Sequence, residues 1–289
     1  MGVYAVTGSA SGMGRAVVVK LTAAGHRVIG VDIQQADITA DLSTPEGRRH
    51  ATDGVLAATD GRLDGAVLAA GLGPSAGPVR IRLIAQVNYL GVVELLEGWR
   101  SALAAAGNAK VVAFSSNSTT TIPAVPRRTV NAFLSGDIDK AVRSVRFFGR
   151  GAPAFAYAGS KIALSYWVRR TAVTPDWAGA GIRLNALAPG AILTPLLERQ
   201  LATPSEAKAV RSFPVPIGGF GDPTQLADWV VFMLSESADF LCGSVVFVDG
   251  GSDAYFRASD WPKPVTLHRL GNYLQTGLPQ MMGTRHPQI

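Results

Sequence analysis

The chain has 289 residues, 47% hydrophobic and 17% charged, with a formal net charge of +6, which is enough for one large domain with a substantial core. Its single cysteine, Cys242, excludes an intrachain disulfide, and four scattered histidines (His26, His50, His268 and His286) lack paired ligand spacing, so no metal site is expected. No apolar run reaches the roughly 18 residues of a membrane span, and no secretory-peptide pattern opens the chain, which predicts a cytoplasmic protein without a membrane partner.

Val3 to Thr7 reads as a strand that opens into Thr7-Gly8-Ser9-Ala10-Ser11-Gly12-Met13-Gly14, and a helix then runs to Ala24 before Gly25 stops it. A strand, a glycine-rich turn and a helix N-terminus together make a phosphate-binding device. Gly8 can take backbone angles closed to other residues, and Gly12 and Gly14 remove side chains where a pyrophosphate must approach. The following helix turns its free N–H groups and positive pole to the anion. An ordinary strand–helix turn is the plain alternative. Val28 to Val31 is a second buried strand ending at Asp32, where a carboxylate would meet the two ribose hydroxyls of a dinucleotide.

Ser43-Thr44-Pro45-Glu46 then supplies a cap and a proline at the first helical position. Gly65 to Gly71 is a strand ending in a turn, and a long helical stretch covers 79–105 with Asn88 and Gly91 inside it. Lys110 to Phe114 is a strand ending at Ser115-Ser116. Helix 156–173, strand Ile182 to Leu187, a helix starting at Asp222-Pro223-Thr224-Gln225 and a closing strand Val245 to Val248 complete the order. This alternation predicts an α/β fold, a single doubly wound parallel sheet with helices on both faces.

Two segments break the rhythm of the 1–251 unit. Residues 119–153 read as an insertion before the 156–173 helix, helical between Arg128 and Phe148 because Val130, Phe133, Leu134, Ile138, Val142 and Val145 recur at three and four. Residues 252–289 form a polar C-terminal extension carrying Trp261, Leu267, Leu270 and Tyr273, free to fold over a pocket or a partner or to stay partly disordered. These two segments hold the whole basic excess: six basic against two acidic residues, and four against two. The remainder is neutral, and no aromatic residues interleave a basic stripe, so nucleic-acid binding is not expected.

Tyr157-Ala158-Gly159-Ser160-Lys161 sets a phenol and an ammonium four apart on one helix face, where the cation favours the phenolate. Ser116 stands at the carboxyl end of a parallel strand, the edge where ligands bind in open α/β sheets, although Ser115 and Ser116 also fit as plain loop hydroxyls. Asn88 is a weak helix former, and an amide satisfied against a neighbouring loop explains it equally.

Taken jointly, these residues resemble the short-chain dehydrogenase/reductase family. Its marks stand in order over about residues 1–251: the Thr7–Gly14 loop, Asp41-Leu42, Ala70-Gly71, Asn88, Ser116, Tyr157 with Lys161, and Asn185 through Pro189-Gly190 to Thr194. The long spacing from Ser116 to Tyr157, with Ala40 to Thr44 and Ala69 to Pro74, resembles its bacterial 3α-hydroxysteroid dehydrogenase/carbonyl reductase subfamily. The resemblance implies a Rossmann fold and an oxidoreductase that interconverts a secondary alcohol and a ketone on an apolar, cyclic or steroid-like substrate. It implies that Tyr157 exchanges the proton, Lys161 lowers its pKa and holds the nicotinamide ribose, Ser116 binds the substrate oxygen, and Asn88 anchors a proton-relaying water.

For the cofactor the resemblance implies Gly8, Ser11, Gly12, Met13, Asp32, Ile33, Asp41, Leu42, Ala70, Gly71, Pro189, Gly190, Ile192 and Thr194. Asp41 and Leu42 belong at the adenine, and Ile192 and Thr194 at the carboxamide. One departure is Leu68-Ala69 where relatives often carry two asparagines. Asp32 would repel a 2′-phosphate and neither Ile33, Gln34 nor Gln35 supplies a cation, so NAD(H) is expected over NADP(H).

Thr194 to Phe213 resembles the family's substrate lid, with Leu196, Leu197 and Leu201 set either to cover substrate or to pack on the core. The family's subunit interface commonly uses the helices at 79–105 and 156–173. A homodimer or homotetramer is expected, and the insertion argues for the dimer. Dehydrogenation of small aromatic or terpenoid alcohols is the alternative substrate reading. A non-catalytic NAD-binding sensor is disfavoured by the intact Ser116, Tyr157 and Lys161, and a nucleotide-sugar epimerase by the glycine spacing.

Overall fold

A computed structural model describes residues 1–75 and 77–261, together with residues 266 and 271. In chain order the elements are β1 (Val3–Thr7), α1 (Gly12–Ala23), β2 (Arg27–Asp32), β3 (Ile38–Thr39), α2 (Pro45–Ala58), β4 (Gly65–Leu68) and α3 (Pro78–Ala85). A π-helical turn, Gln86–Leu90, joins α3 to α4 (Gly91–Ala104). Then follow β5 (Lys110–Phe114), α5 (Ser118–Thr121), α6 (Arg127–Leu134), α7 (Ile138–Val145), α8 (Ala152–Thr171), β6 (Arg183–Pro189), α9 (Pro195–Ala202), α10 (Pro204–Ser212), α11 (Pro223–Leu234), β7 (Val245–Val248) and α12 (Ser252–Arg257).

The seven strands form one parallel sheet in the order β3-β2-β1-β4-β5-β6-β7. The order reverses between β1 and β4, which opens a crevice at their carboxyl ends. Alternate strand residues feed opposite layers. Ala5, Val31, Ala66 and Val111 pack with Leu95, Leu96, Trp99 and Leu164 on one face. Val6, Val67, Val112 and Leu187 pack with Val17, Leu21, Leu226 and Val230 on the other. The expected strand at 65–71 is shorter because the chain leaves the sheet after Leu68 and Thr7 Oγ1 accepts the Ala70 N–H at 3.1 Å. The two-residue β3 and the short α5 carry too few residues for any periodicity to announce them.

The continuous helix expected over 79–105 is interrupted by the π turn, and Asn88 sits inside it. The insertion is helical over the expected 128–148 range, in two main pieces: α6 and α7 are separated at Gly136 (φ +70°), with Asp137 capping α7 through Lys140 N–H at 2.8 Å. Ser135-Gly136-Asp137 is a stop followed by a start, a local signal that the three–four periodicity masks. The pair is joined by Thr129 Oγ1 and Ser144 Oγ at 2.8 Å, and α6 packs on α8 while α7 packs on both α3 and α8. Gly159 permits this approach: a Cβ there would lie 2.9 Å from Thr129 Cγ2 and 3.3 Å from Phe133 Cε2. Of the extension, α12 and Trp261 are described, whereas Leu267, Leu270 and Tyr273 lie outside the described residues.

Candidate active site

At the carboxyl edge of the sheet, β1 ends in the glycine turn. Gly8 has φ +69° and its missing Cβ would stand 2.8 Å from Ala70 N, so only glycine fits. Gly14 is equally constrained, because a Cβ would meet Gly8 O at 2.2 Å. At Gly12 (φ +53°) the nearest atoms to an added Cβ are those of Thr194, starting at 3.5 Å. The turn and the start of α9 therefore face each other. Ser11 is the N-cap residue of α1, yet its side chain makes no cap hydrogen bond. Among the described residues Ser9 Oγ has no hydrogen-bond partner, and it is buried against Gly30 of β2. The unspent Ser11 hydroxyl and the free amides at the helix N-terminus fit a diphosphate.

Asp32 ends β2 with both carboxylate oxygens held: Oδ2 accepts Ala10 N–H at 3.0 Å and Oδ1 accepts Gln34 N–H at 3.0 Å. That fixes the carboxylate beside the glycine turn, with exposed Ile33 next to it. Asp41 is exposed, its Oδ1 accepting Ser43 N–H at 2.9 Å. Leu42 instead points its side chain into the core near Gly91. Any adenine contact by Leu42 thus falls to its main chain. Met13 packs partly against the β1–α11 core layer, and Ile192 is buried in that same layer, so its side chain serves packing as well. Gly190 fits where a Cβ would stand 2.7 Å from Asp249 Cα. Pro189 ends β6, and Thr194 caps α9 through Leu197 N–H at 3.4 Å.

The reacting groups converge from β5, α8 and the π turn. Ser116 Oγ accepts Ser118 N–H at 3.1 Å, which leaves its hydroxyl hydrogen to turn toward the Tyr157 oxygen beside it. Burial pushes the Tyr157 phenol above its ordinary value, and the Ser116 bond acts the other way. The sequence argument expected Lys161 to lower that pKa. The structure differs because the ammonium is turned to the Phe114 carbonyl at 2.6 Å, and its own pKa is pushed down to about 8 by burial. Ser115 separates from Ser116 in role: its Oγ meets Ser165 Oγ at 2.8 Å and ties α8 to the sheet.

Asn88, fully buried, clamps the loop after β4. Its Oδ1 accepts Leu72 N–H at 2.8 Å and its Nδ2 donates to Leu72 O at 2.9 Å. One amide hydrogen remains for a water. A Cβ on Gly71 would lie 3.5 Å from Asn88 Oδ1 and 4.0 Å from Lys161 Nζ, so Gly71 marks where the two groups meet. Asn185 stands away from this chemistry: it accepts Ser244 N–H at 2.9 Å and donates to Leu241 O at 2.8 Å, steering the chain into β7. Along α9 and α10, Leu197 is buried, Leu196 rests on Gly73 and Leu201 lines an open surface pocket of about 610 Å³ with Pro204 and Ala207.

The arrangement is a proton donor and acceptor, Tyr157, with a hydroxyl beside it and a buried amine one turn along, at the carboxyl edge of the sheet that also carries the glycine turn. Among the described residues, no helix is long and apolar enough to cross a membrane. Residues 141–253 match the family model described as enoyl-(acyl carrier protein) reductase. The chain is 36% identical over 261 residues to the 3-alpha-hydroxysteroid dehydrogenase/carbonyl reductase of Comamonas testosteroni, covering 90% of this chain and 100% of that protein. It is 28% identical to the cis-4-hydroxycyclohexanecarboxylate dehydrogenase of Sinomonas cyclohexanicum, covering 87% and 96%. The crystal structure of a 3-alpha-hydroxysteroid dehydrogenase from Pseudomonas sp. B-0831 complexed with NADH superposes with a TM-score of 0.82 at 44% identity, covering 89% of this chain and 99% of that one. The geometry and these likenesses agree, and the chain belongs to the short-chain dehydrogenase/reductase family.

Proposed function

We propose that the protein is an NAD(H)-dependent oxidoreductase that interconverts a secondary alcohol and a ketone on an apolar, cyclic or steroid-like substrate. The observation that carries this reading is the Ser116 hydroxyl beside the Tyr157 phenol, with buried Lys161 on the same helix as Tyr157. In the reductive direction the Tyr157 O–H gives its proton to the carbonyl oxygen, and in the oxidative direction the phenolate takes the proton of the alcohol. Ser116 holds the same oxygen, and the Asn88 clamp keeps Gly71 and Leu72 in place beneath it. Gly8, Ser11 and Gly12 would cradle the diphosphate, Asp32 the adenosine ribose, Lys161 the nicotinamide ribose and Thr194 the carboxamide. Bound NAD(H) supplies the hydride acceptor or donor. A spectrophotometric screen of NAD⁺ reduction at alkaline pH over steroids, cyclic alcohols and aryl carbinols tests the reading; no reduction with any of them would refute it.

Burial of Lys161 gives a pH signature. Its pKa falls from 10.5 to about 8 on folding, so below that value the native state carries a buried ammonium at full cost. Between about pH 8 and 10.5 the native state sheds the proton before the unfolded chain does, so this group's contribution to stability rises with pH there. The gain is at most about 3 kcal/mol. Urea titrations of wild type and Lys161→Met across this window should differ in slope; parallel curves would show that Lys161 is not desolvated.

For assembly we infer a homodimer. The support is that α6 and α7 cover parts of α3 and α8, the helix faces on which a tetramer of the usual kind would be built. Light scattering should give the mass of two chains, and a compact tetramer would contradict the inference.

A further inference from the structure

A cavity of about 570 Å³ lies at the amino edge of the sheet, the end away from the glycine turn and Tyr157. Its floor is one lateral row of the sheet: Tyr4 of β1, Gly65 of β4 and Lys110 of β5 pair in register. Gly65 keeps that floor open, because a Cβ there would stand 2.8 Å from Tyr4 Cε1 and 2.5 Å from Lys110 O. Leu21 near the end of α1, with Val231 and Leu234 at the end of α11, makes an apolar wall. The turn Ser235-Glu236-Ser237 forms the rim.

The polar groups around this space are unevenly satisfied. Tyr4 is only 8% exposed and lines the cavity, yet among the described residues its hydroxyl has no hydrogen-bond partner. A buried hydroxyl in that position is unfavourable unless something in the cavity bonds it. Its neighbours are already engaged. His26 meets the Tyr4 ring edge-on at 5.0 Å, and its Nδ1 accepts Gly2 N–H at 3.1 Å. Asp64 accepts Val3 N–H at 2.8 Å through Oδ2 and pairs with Arg62 at 2.9 Å through Oδ1. Buried Lys110 is held by Asp239 at 2.8 Å.

Among the described residues, Glu236 is the charged lining group that belongs to no ion pair, so the unanswered charge is negative. The backbone adds to it. Helices α1 and α11 run against the strands, so both end at this edge and turn their negative poles to it. Burial first, and then the Asp64 carboxylate, hold the Tyr4 phenol above its ordinary pKa; a cation in the cavity relieves the second. Among the described residues no three His, Cys, Asp or Glu side chains group to hold a metal ion, which points to an organic cation.

We propose that this cavity is a second ligand site, separate from the catalytic edge, and that it takes a primary ammonium carrying a short apolar tail. The ammonium would stand between the Tyr4 oxygen and Glu236, and the tail would lie on Leu21, Val231 and Leu234. The proposal does not rest on the oxidoreductase reading.

Butylammonium, butanol and butyrate have nearly one shape and differ in charge, so titrating each into the full chain separates charge from bulk. Methyl NMR spectra locate the binding. Butylammonium should give saturable shifts of the Leu21, Val231 and Leu234 methyls while those of Leu196 and Leu197 stay still. Butanol and butyrate should bind at least about fivefold more weakly. Glu236→Gln should weaken butylammonium about threefold to fivefold, and Tyr4→Phe, which keeps the ring and removes the hydroxyl, by about as much. Glu236 is exposed, so its replacement leaves the fold intact. Glu97→Gln on α4, on the other face of the sheet, removes the same charge and should leave the affinity unchanged. Absence of saturable shifts with butylammonium, equal affinity for butanol, or shifts confined to Leu196 and Leu197 would each overturn the proposal. So would an affinity unchanged in both Glu236→Gln and Tyr4→Phe. Turnover enters none of these measurements, so they stand or fall apart from the proposed reaction.

Discussion

Replacing Tyr157 by phenylalanine is expected to lower kcat by at least 10²–10⁴, roughly the whole contribution of a positioned acid–base group, while leaving NADH affinity nearly unchanged. Phenylalanine keeps the ring in its half-buried place on α8 and removes only the oxygen whose pKa the nearby Ser116 hydroxyl lowers. The two effects separate in one experiment. Fluorescence titration with NADH reports the crevice, and steady-state rates in both directions report proton transfer. Burial holds the phenol above its ordinary pKa, so near neutral pH the protonated form needed for ketone reduction prevails. Oxidation by wild type should therefore climb with pH, and the residual rate of Tyr157→Phe should not. A variant that retains turnover within tenfold of wild type would remove Tyr157 from the chemistry and with it the proposed reaction.

Ser116→Ala makes an informative companion because Ser116 is placed by different physics. Its hydroxyl accepts a backbone N–H from Ser118 inside a turn at the end of β5, and nothing in the sequence distinguishes it from Ser115 by pattern. The strand and its ending were legible, since five consecutive buried residues precede the serines. Which serine faced the cleft was set by the twist of the turn and the position of α8, and only packing decides that. The same divide runs through the whole site. Gly8, Gly12 and Gly14 were legible because each answers a local backbone or steric demand. Asp32 was legible because strand length fixes where β2 ends.

Asn88 was legible as an oddity in a helix, yet the π turn that houses it and its grip on Leu72 are tertiary. Lys161 shows the limit most clearly. Spacing placed it on the Tyr157 face of the helix, but the Phe114 carbonyl took its ammonium, an acceptor 47 residues away in the chain. The helical character of the insertion was legible in its apolar repeat, which continues through Gly136, whereas its division into two helices lies in the cap and stop residues.

Cofactor choice should show the other large effect. Wild type is expected to favour NAD⁺ over NADP⁺ in kcat/KM by at least 10²-fold, since like charges about 4 Å apart cost roughly 1–4 kcal/mol per unit charge between water and a protein surface. The carboxylate of Asp32 cannot swing away to relieve that repulsion, because Ala10 N–H and Gln34 N–H each hold one of its oxygens at 3.0 Å. Ile33, exposed beside it, offers no cation to the phosphate. Asp32→Ala alone should lower use of NAD⁺ by removing the ribose acceptor and also raise tolerance of NADP⁺, narrowing the ratio without inverting it. Adding Ile33→Arg supplies a guanidinium where the 2′-phosphate would lie, and the double variant should prefer NADP⁺. Rates with both cofactors for wild type, the single and the double variant decide the matter. Equal use of the two cofactors by wild type would mean that the ribose does not reach Asp32, and the glycine turn would then have to hold the dinucleotide in another register.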